Sequence, residues 1–156
     1  ARLLAHCNVT QLWREDRTGP NAGRRDAGPS EVVPVAGKYR PWAELVVDMK
    51  ELEALYPRFA RVHVIGQTTE GRDILALKIA ADPGTDDRAK PEVVFVGVHH
   101  AREWISAEVT MGVAEFVLCS LNSSRIAELV EQAELWFVPV LNVDGFVYTF
   151  EDGRDE

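Results

Sequence analysis

The chain is poor in several features that would decide its class at once. It has 2 cysteines, Cys7 and Cys119, in 156 residues, so no dense disulfide framework stands in for a core; one bridge and two buried thiols are equally compatible with the sequence. No apolar run approaches the roughly 20 residues that a membrane-spanning helix needs, which leaves no reason to expect a membrane partner. The opening stretch "ARLLAHCNVT" lacks an apolar core and a cleavage site, so no secretory leader is expected in it. There is no internal repeat of useful length. A basic face is missing too: the net charge is −8, and residues 1–40 are the exception at +3, which puts the rest at −11. An acidic body argues against a nucleic-acid partner.

At 46% hydrophobic and 27% charged residues, what remains is a chain long enough to bury one core. The segment "WREDRTGPNAGRRDAGPSE" is basic, holds Gly and Pro and shows little apolar periodicity, so it reads as a flexible connector. From residue 41 onward the pattern is regular. Leu45, Val46, Met49, Leu52 and Leu55 share one side of a helix over Pro41–Leu55, which Pro57 closes. Strands are expected at Arg61–Gly66 and Asp73–Ala80, joined by the polar "QTTEGR" turn. An apolar strand around Val93 follows, then a helix over Glu103–Leu121, a shorter helix over Arg125–Gln132 and the strand "LWFVPV". The fold class is α/β, a mixed sheet covered by helices.

The run "PEVVFVGV" reads as a strand buried on both faces, and the chemistry-bearing residues sit where it ends, in "GVHHAREWIS". His100 and Glu103 are three apart and can converge on one point of an emerging helical turn. Imidazole nitrogen and carboxylate oxygen both suit zinc, whose catalytic sites usually take three protein ligands and a water. Alternation along a strand would point His99 and His100 to opposite sides, and only His100 is in register with Glu103. His6 and His63 have no carboxylate at comparable spacing. Taken alone, His-x-x-Glu is weak, because acid-rich chains produce it by accident.

The longer context is more specific. "YRPWAELVVDMKELEALYPRFARVHVIGQTTEGRDILALKIA", "GVHHAREWIS" and "FVPVLNVDGFVYT" together resemble, in order from about Tyr39 to Thr149, the N-terminal half of the catalytic domain of zinc metallocarboxypeptidases of the carboxypeptidase A/B type. Their most specific pieces are "TTEGRDI", "HAREWIS" and "NVDGFVYT". The resemblance implies a three-layer α/β sandwich, incomplete here, with residues 1–36 a linker or prosegment remnant and residues 37–156 the N-terminal part of the catalytic domain. Arg24-Arg25 is then a candidate cleavage site, against the plainer reading of a solvated arginine pair.

It also implies one Zn²⁺ held by His100, Glu103 and a third ligand absent from this chain, with Arg102 along the substrate cleft. The resemblance makes the general base and an oxyanion-stabilising arginine later residues that have no match here, so no catalytic residue is assigned. Trp104 reads as packing, and Asn142, Asp144 and Gly145 as an Asp-Gly turn that closes a strand and supports the cleft. The implied order of strands pairs the first hairpin with "LWFVPV", and that strand with "VVFVGV".

The activity so implied is zinc-dependent hydrolysis of C-terminal residues from peptides and proteins, by an enzyme of which this chain is a part, inactive alone. The alternatives are a non-catalytic half-domain acting as a binding module and a related zinc amidohydrolase. A secreted or extracellular location is implied by the family only; the sequons at Asn8 and Asn122 matter solely in that setting.

Overall fold

The computed structural model describes residues 39–151; the connector, Arg24-Arg25, His6, Cys7 and Asn8 lie outside them. Four strands and four helices follow in the order α1 (Trp42–Leu55), β1 (Ala60–Gln67), β2 (Asp73–Ile79), β3 (Glu92–Val96), α2 (Trp104–Cys119), α3 (Ser124–Gln132), β4 (Glu134–Val138) and α4 (Val143–Glu151). The sheet runs β1-β2-β4-β3. β1 and β2 form an antiparallel hairpin, β2 pairs antiparallel with β4, and β3 lies parallel to β4. This is the expected mixed α/β sheet with the expected neighbours.

Alternation sorts the strands into two faces. Leu75, Leu77 and Ile79 of β2 and Leu135 and Phe137 of β4 are buried on one face, against Leu45, Met49 and Leu52 of α1, Met111, Ala114 and Leu118 of α2, and Phe146 of α4. Burying each such side chain stabilises the fold by roughly 1.5–3 kcal/mol. Leu55, expected on the apolar side of α1, is exposed at the last turn of the helix, and Tyr56 packs on the core instead. Ahead of α1, Arg40 joins Asp48 on that helix to Glu108 and Glu115 on α2, at 2.6, 2.6 and 3.4 Å. Burial disfavours the Arg40 charge, but hydrogen bonds to Glu108 and Asp48 outweigh it and push its pKa up.

The second face of the sheet carries Ile65, Ala76, Val94, Trp136 and Val138 around a shallow depression. The loop of residues 80–91 crosses one end of this face. There the Pro83 carbonyl meets His63 Nε2 at 2.9 Å, and Lys78 pairs with Glu134 at 2.8 Å with both side chains buried. No described helix covers the other end, which explains one departure from expectation. β3 is not buried on both faces: Val93, Val94 and Val96 are exposed, because β3 is an edge strand with β4 on one side and no described strand on the other.

A second departure concerns "NVDG". Asn142, Asp144 and Gly145 do not form a turn closing a strand. They start α4, with Asn142 Oδ1 accepting the Gly145 N–H at 3.1 Å. Cap satisfaction and the burial of Val143 and Phe146 outweigh the turn preference of Asp-Gly.

Candidate metal centre

β3 ends at Val96, and the chain reaches α2 through Gly97–Glu103. The crossing is tight. A Cβ on Gly97 would lie 2.4 Å from the Pro139 carbonyl oxygen and 2.8 Å from that of Ser106, both backbone atoms, so only glycine fits. Val98 then takes a positive φ of 46°, a region that a β-branched residue seldom enters. Two bonds to the rest of the fold hold it: its N–H donates to Ser106 Oγ at 2.8 Å, and its carbonyl accepts the Asn142 N–H at 3.0 Å.

His99 and His100 therefore lie in a bend beyond the strand, so strand alternation does not govern their directions. A single turn, closed by the Glu103 N–H on the His100 carbonyl at 3.1 Å, brings the expected pair together. His100 Nδ1 is 3.0 Å from Glu103 Oε1, and the other carboxylate oxygen accepts the His100 N–H at 3.3 Å. Both side chains are open to solvent. The His100 side chain and then its N–H hold the Glu103 carboxyl below the usual carboxylate range. Glu103 is the N-cap residue of α2 but makes no side-chain cap bond, so its carboxylate is turned to His100 rather than spent on the helix.

The donor set fits a zinc ion. Two ligands about 2.0–2.1 Å from a tetrahedral zinc are about 3.3 Å apart, and Nδ1 and Oε1 stand close to that separation without rearrangement. Among the described residues no third ligating side chain closes on the pair. The one group of three or more that converges lies elsewhere: Asp86, Glu92 and Glu134 on the second face of the sheet. There Lys78 already neutralises Glu134.

Arg102 is exposed and makes no ion pair with a described residue. Trp104 packs as expected, its ring 4.7 Å from Phe150 and 5.6 Å from Tyr39, with Nε1 donating to Thr149 at 2.9 Å. His63 is a sheet residue, its ring against Trp136 at 5.2 Å. Asp144 reaches the β1–β2 turn: its carboxylate accepts from Arg72 at 2.7 Å and from the Glu70 N–H at 3.1 Å. Ser106 carries little signal in the sequence, only a hydroxyl in the first turn of a helix that follows His-x-x-Glu.

The family model described as zinc carboxypeptidase matches residues 45–156. Inactive metallocarboxypeptidase ECM14 of Paracoccidioides lutzii is 38% identical over 117 residues, 74% of this chain and 20% of its own length. The protein of the same name from Arthroderma otae is 33% identical over 143 residues, 88% of this chain and 24% of its own length. The chain thus spans about a fifth to a quarter of these relatives. Carboxypeptidase A from Helicoverpa armigera superposes with a TM-score of 0.64 at 28% identity, over 73% of this chain and 27% of that one.

Proposed function

The chain belongs to the zinc carboxypeptidase family, and from that premise we propose that it supplies the His100–Glu103 side of a zinc site in an enzyme that removes C-terminal residues from peptides and proteins. The observation that carries the reading is the 3.0 Å approach of His100 Nδ1 to Glu103 Oε1 at the end of β3. His100 and Glu103 would hold one zinc ion. When bound, zinc supplies Lewis acidity, polarising a carbonyl and lowering the pKa of a coordinated water.

The roles of the chain's own residues follow. Glu103 commits its lone pairs to the metal and is not the general base. Arg102, exposed beside the pair, offers a fixed positive charge to a peptide carbonyl or carboxylate in the cleft. The 156-residue chain alone is not expected to hydrolyse peptides, because among the described residues no third ligand closes on the pair and none is assigned as the base. A secreted or extracellular location is proposed on the family reading. The sequon at Asn122, exposed in the turn between α2 and α3, is compatible with it.

Equilibrium dialysis against Zn²⁺ tests the metal assignment. His100→Ala and Glu103→Ala should each remove most of the binding, and zinc retained by both variants would refute it. A second reading, a non-catalytic member of the family, is favoured by the word "inactive" in the names of the relatives. A longer protein that contains this chain separates the two. Release of the last residue from an N-terminally blocked peptide supports the first, and zinc held through His100 without release supports the second.

A further inference from the structure

We infer that Ser106 is the positioning residue of the His100–Glu103 pair, its single hydroxyl closing the loop that carries both ligands. The inference rests on the metal reading above. The loop leaves the sheet at Val98 and returns to α2 at Glu103. At its start, the Val98 N–H donates to Ser106 Oγ at 2.8 Å; at its end, the Ser106 hydroxyl donates to the Glu103 carbonyl at 2.6 Å. A serine hydroxyl has one proton to give and lone pairs to accept with, and here it uses both functions at once. His99, His100, Ala101 and Arg102 are held between two bonds to one oxygen atom.

Ser106 is itself fixed. It stands in the first turn of α2, its carbonyl accepts the hydroxyl of the buried Thr110 at 2.8 Å, and the Gly97 backbone packs against that same carbonyl. The clamp is anchored to the helix and to the strand end together.

What the clamp holds is unfavourable without it. Val98 keeps a φ of 46°, and backbone conformations of this kind cost about 1–3 kcal/mol and persist only where the surroundings over-determine them. The Asn142 bond restrains the Val98 carbonyl, and the Ser106 bond restrains its N–H. With the hydroxyl gone, the N–H has no acceptor, the peptide is free to turn toward negative φ, and every atom from His99 onward is re-aimed. The separation of Nδ1 and Oε1 is then no longer set by the fold. Groups that orient metal ligands in this way typically govern about 10–100-fold in metal affinity.

The test compares Ser106→Ala, Ser106→Thr and His100→Ala in the full 156-residue chain. Zn²⁺ affinity is measured by equilibrium dialysis, and the thermal midpoint is followed without metal. Ser106→Ala should weaken zinc by about tenfold or more while the metal-free chain still unfolds in one cooperative transition, its midpoint lowered by the loss of the hydrogen bond to the buried Val98 N–H. Ser106→Thr, which keeps the hydroxyl and has a rotamer that reaches a backbone carbonyl in a helix, should stay within about threefold of the parent. Zinc affinity unchanged in His100→Ala would overturn the metal reading and this inference with it. Affinity that depends on His100 but not on the Ser106 hydroxyl would overturn the positioning role alone, as would equal losses in the alanine and threonine variants. Failure of Ser106→Ala to fold would also overturn it, making the hydroxyl a determinant of the fold.

Discussion

Arg72 and Asp144, 72 residues apart, meet at 2.7 Å and tie the turn of the β1–β2 hairpin to the first turn of α4. Partial desolvation pushes the Asp144 carboxyl up, but hydrogen bonds from Arg72, Thr68 and the Glu70 N–H outweigh it and hold the group below the usual carboxylate range. A depressed carboxyl contributes stability that is fully present above its unfolded pKa, about 3.9, and is lost as pH falls through the lower folded value. Asp144→Asn should therefore destabilise the chain near neutral pH, and its deficit relative to the parent should shrink below about pH 4. Thermal midpoints followed down the pH scale check this, and a deficit that stayed constant would rule out the carboxylate as its source.

A different response is expected inside the sheet. Lys78 and Glu134 are paired at 2.8 Å and buried, and the Lys78 Nζ also lies 4.8 Å from the centre of the Trp136 ring. Lys78→Met leaves the Glu134 charge buried without its counter-ion, which should cost about 3–5 kcal/mol. Lys78→Met with Glu134→Leu should recover most of that loss. Urea midpoints of the single and double variants give the comparison, and a double variant as unstable as the single one would show that the pair contributes specific stabilisation.

Gly97→Ala should be among the most damaging small substitutions in the chain. Both atoms that the new methyl meets are backbone carbonyls, so no side chain can swing aside, and a cost of about 3 kcal/mol or more is expected, at the upper end for overpacking. The same change displaces the start of the loop that carries His100. Loss of zinc binding in step with loss of thermal stability is the expected result.

The open strand predicts behaviour in solution. Val93, Val94 and Val96 are exposed on β3, whose outer edge has no described neighbour, and an apolar edge of this kind is a template for pairing with another copy. The 156-residue chain should sediment as a concentration-dependent oligomer. Val94→Lys, a charge placed on that edge, should shift it toward monomer. A parent chain that stays monomeric at high concentration would count against the edge as a site of association.

These features differ in how far they could be read from the residues. The strand at Val93 and the pairing of His100 with Glu103 were legible, because apolar runs and i,i+3 spacings are local properties that survive into the fold. The β1–β2 hairpin was legible for the same reason. α4 was not: "NVDG" has the composition of a turn, and only the Asn142 cap and the burial of Val143 and Phe146 decide for a helix. Nor was the exposure of β3, since an apolar run records that a strand can be buried but not which element covers it. The left-handed Val98 and the two hydrogen bonds of the Ser106 hydroxyl arise where the strand, α2 and the start of α4 meet, and no spacing in the sequence encodes that meeting.

The strand order β1-β2-β4-β3 has a consequence for synthesis as well as for architecture. The strand that sits between the other two partners is the last of the four to be made. As the chain leaves the ribosome, β1 and β2 can zip together from a tight turn, but Val93–Val96 has no neighbour until Glu134–Val138 has emerged and slid in beside both. Long-range closures of this kind are slow to form and leave apolar surface waiting. For the whole interval in which α2 and α3 are being translated, the segment that leads into the loop of His100 and Glu103 lacks its strand neighbour and presents apolar surface of the kind that favours aggregation, and the spacing of His100 from Glu103 acquires its meaning only once the fourth strand arrives.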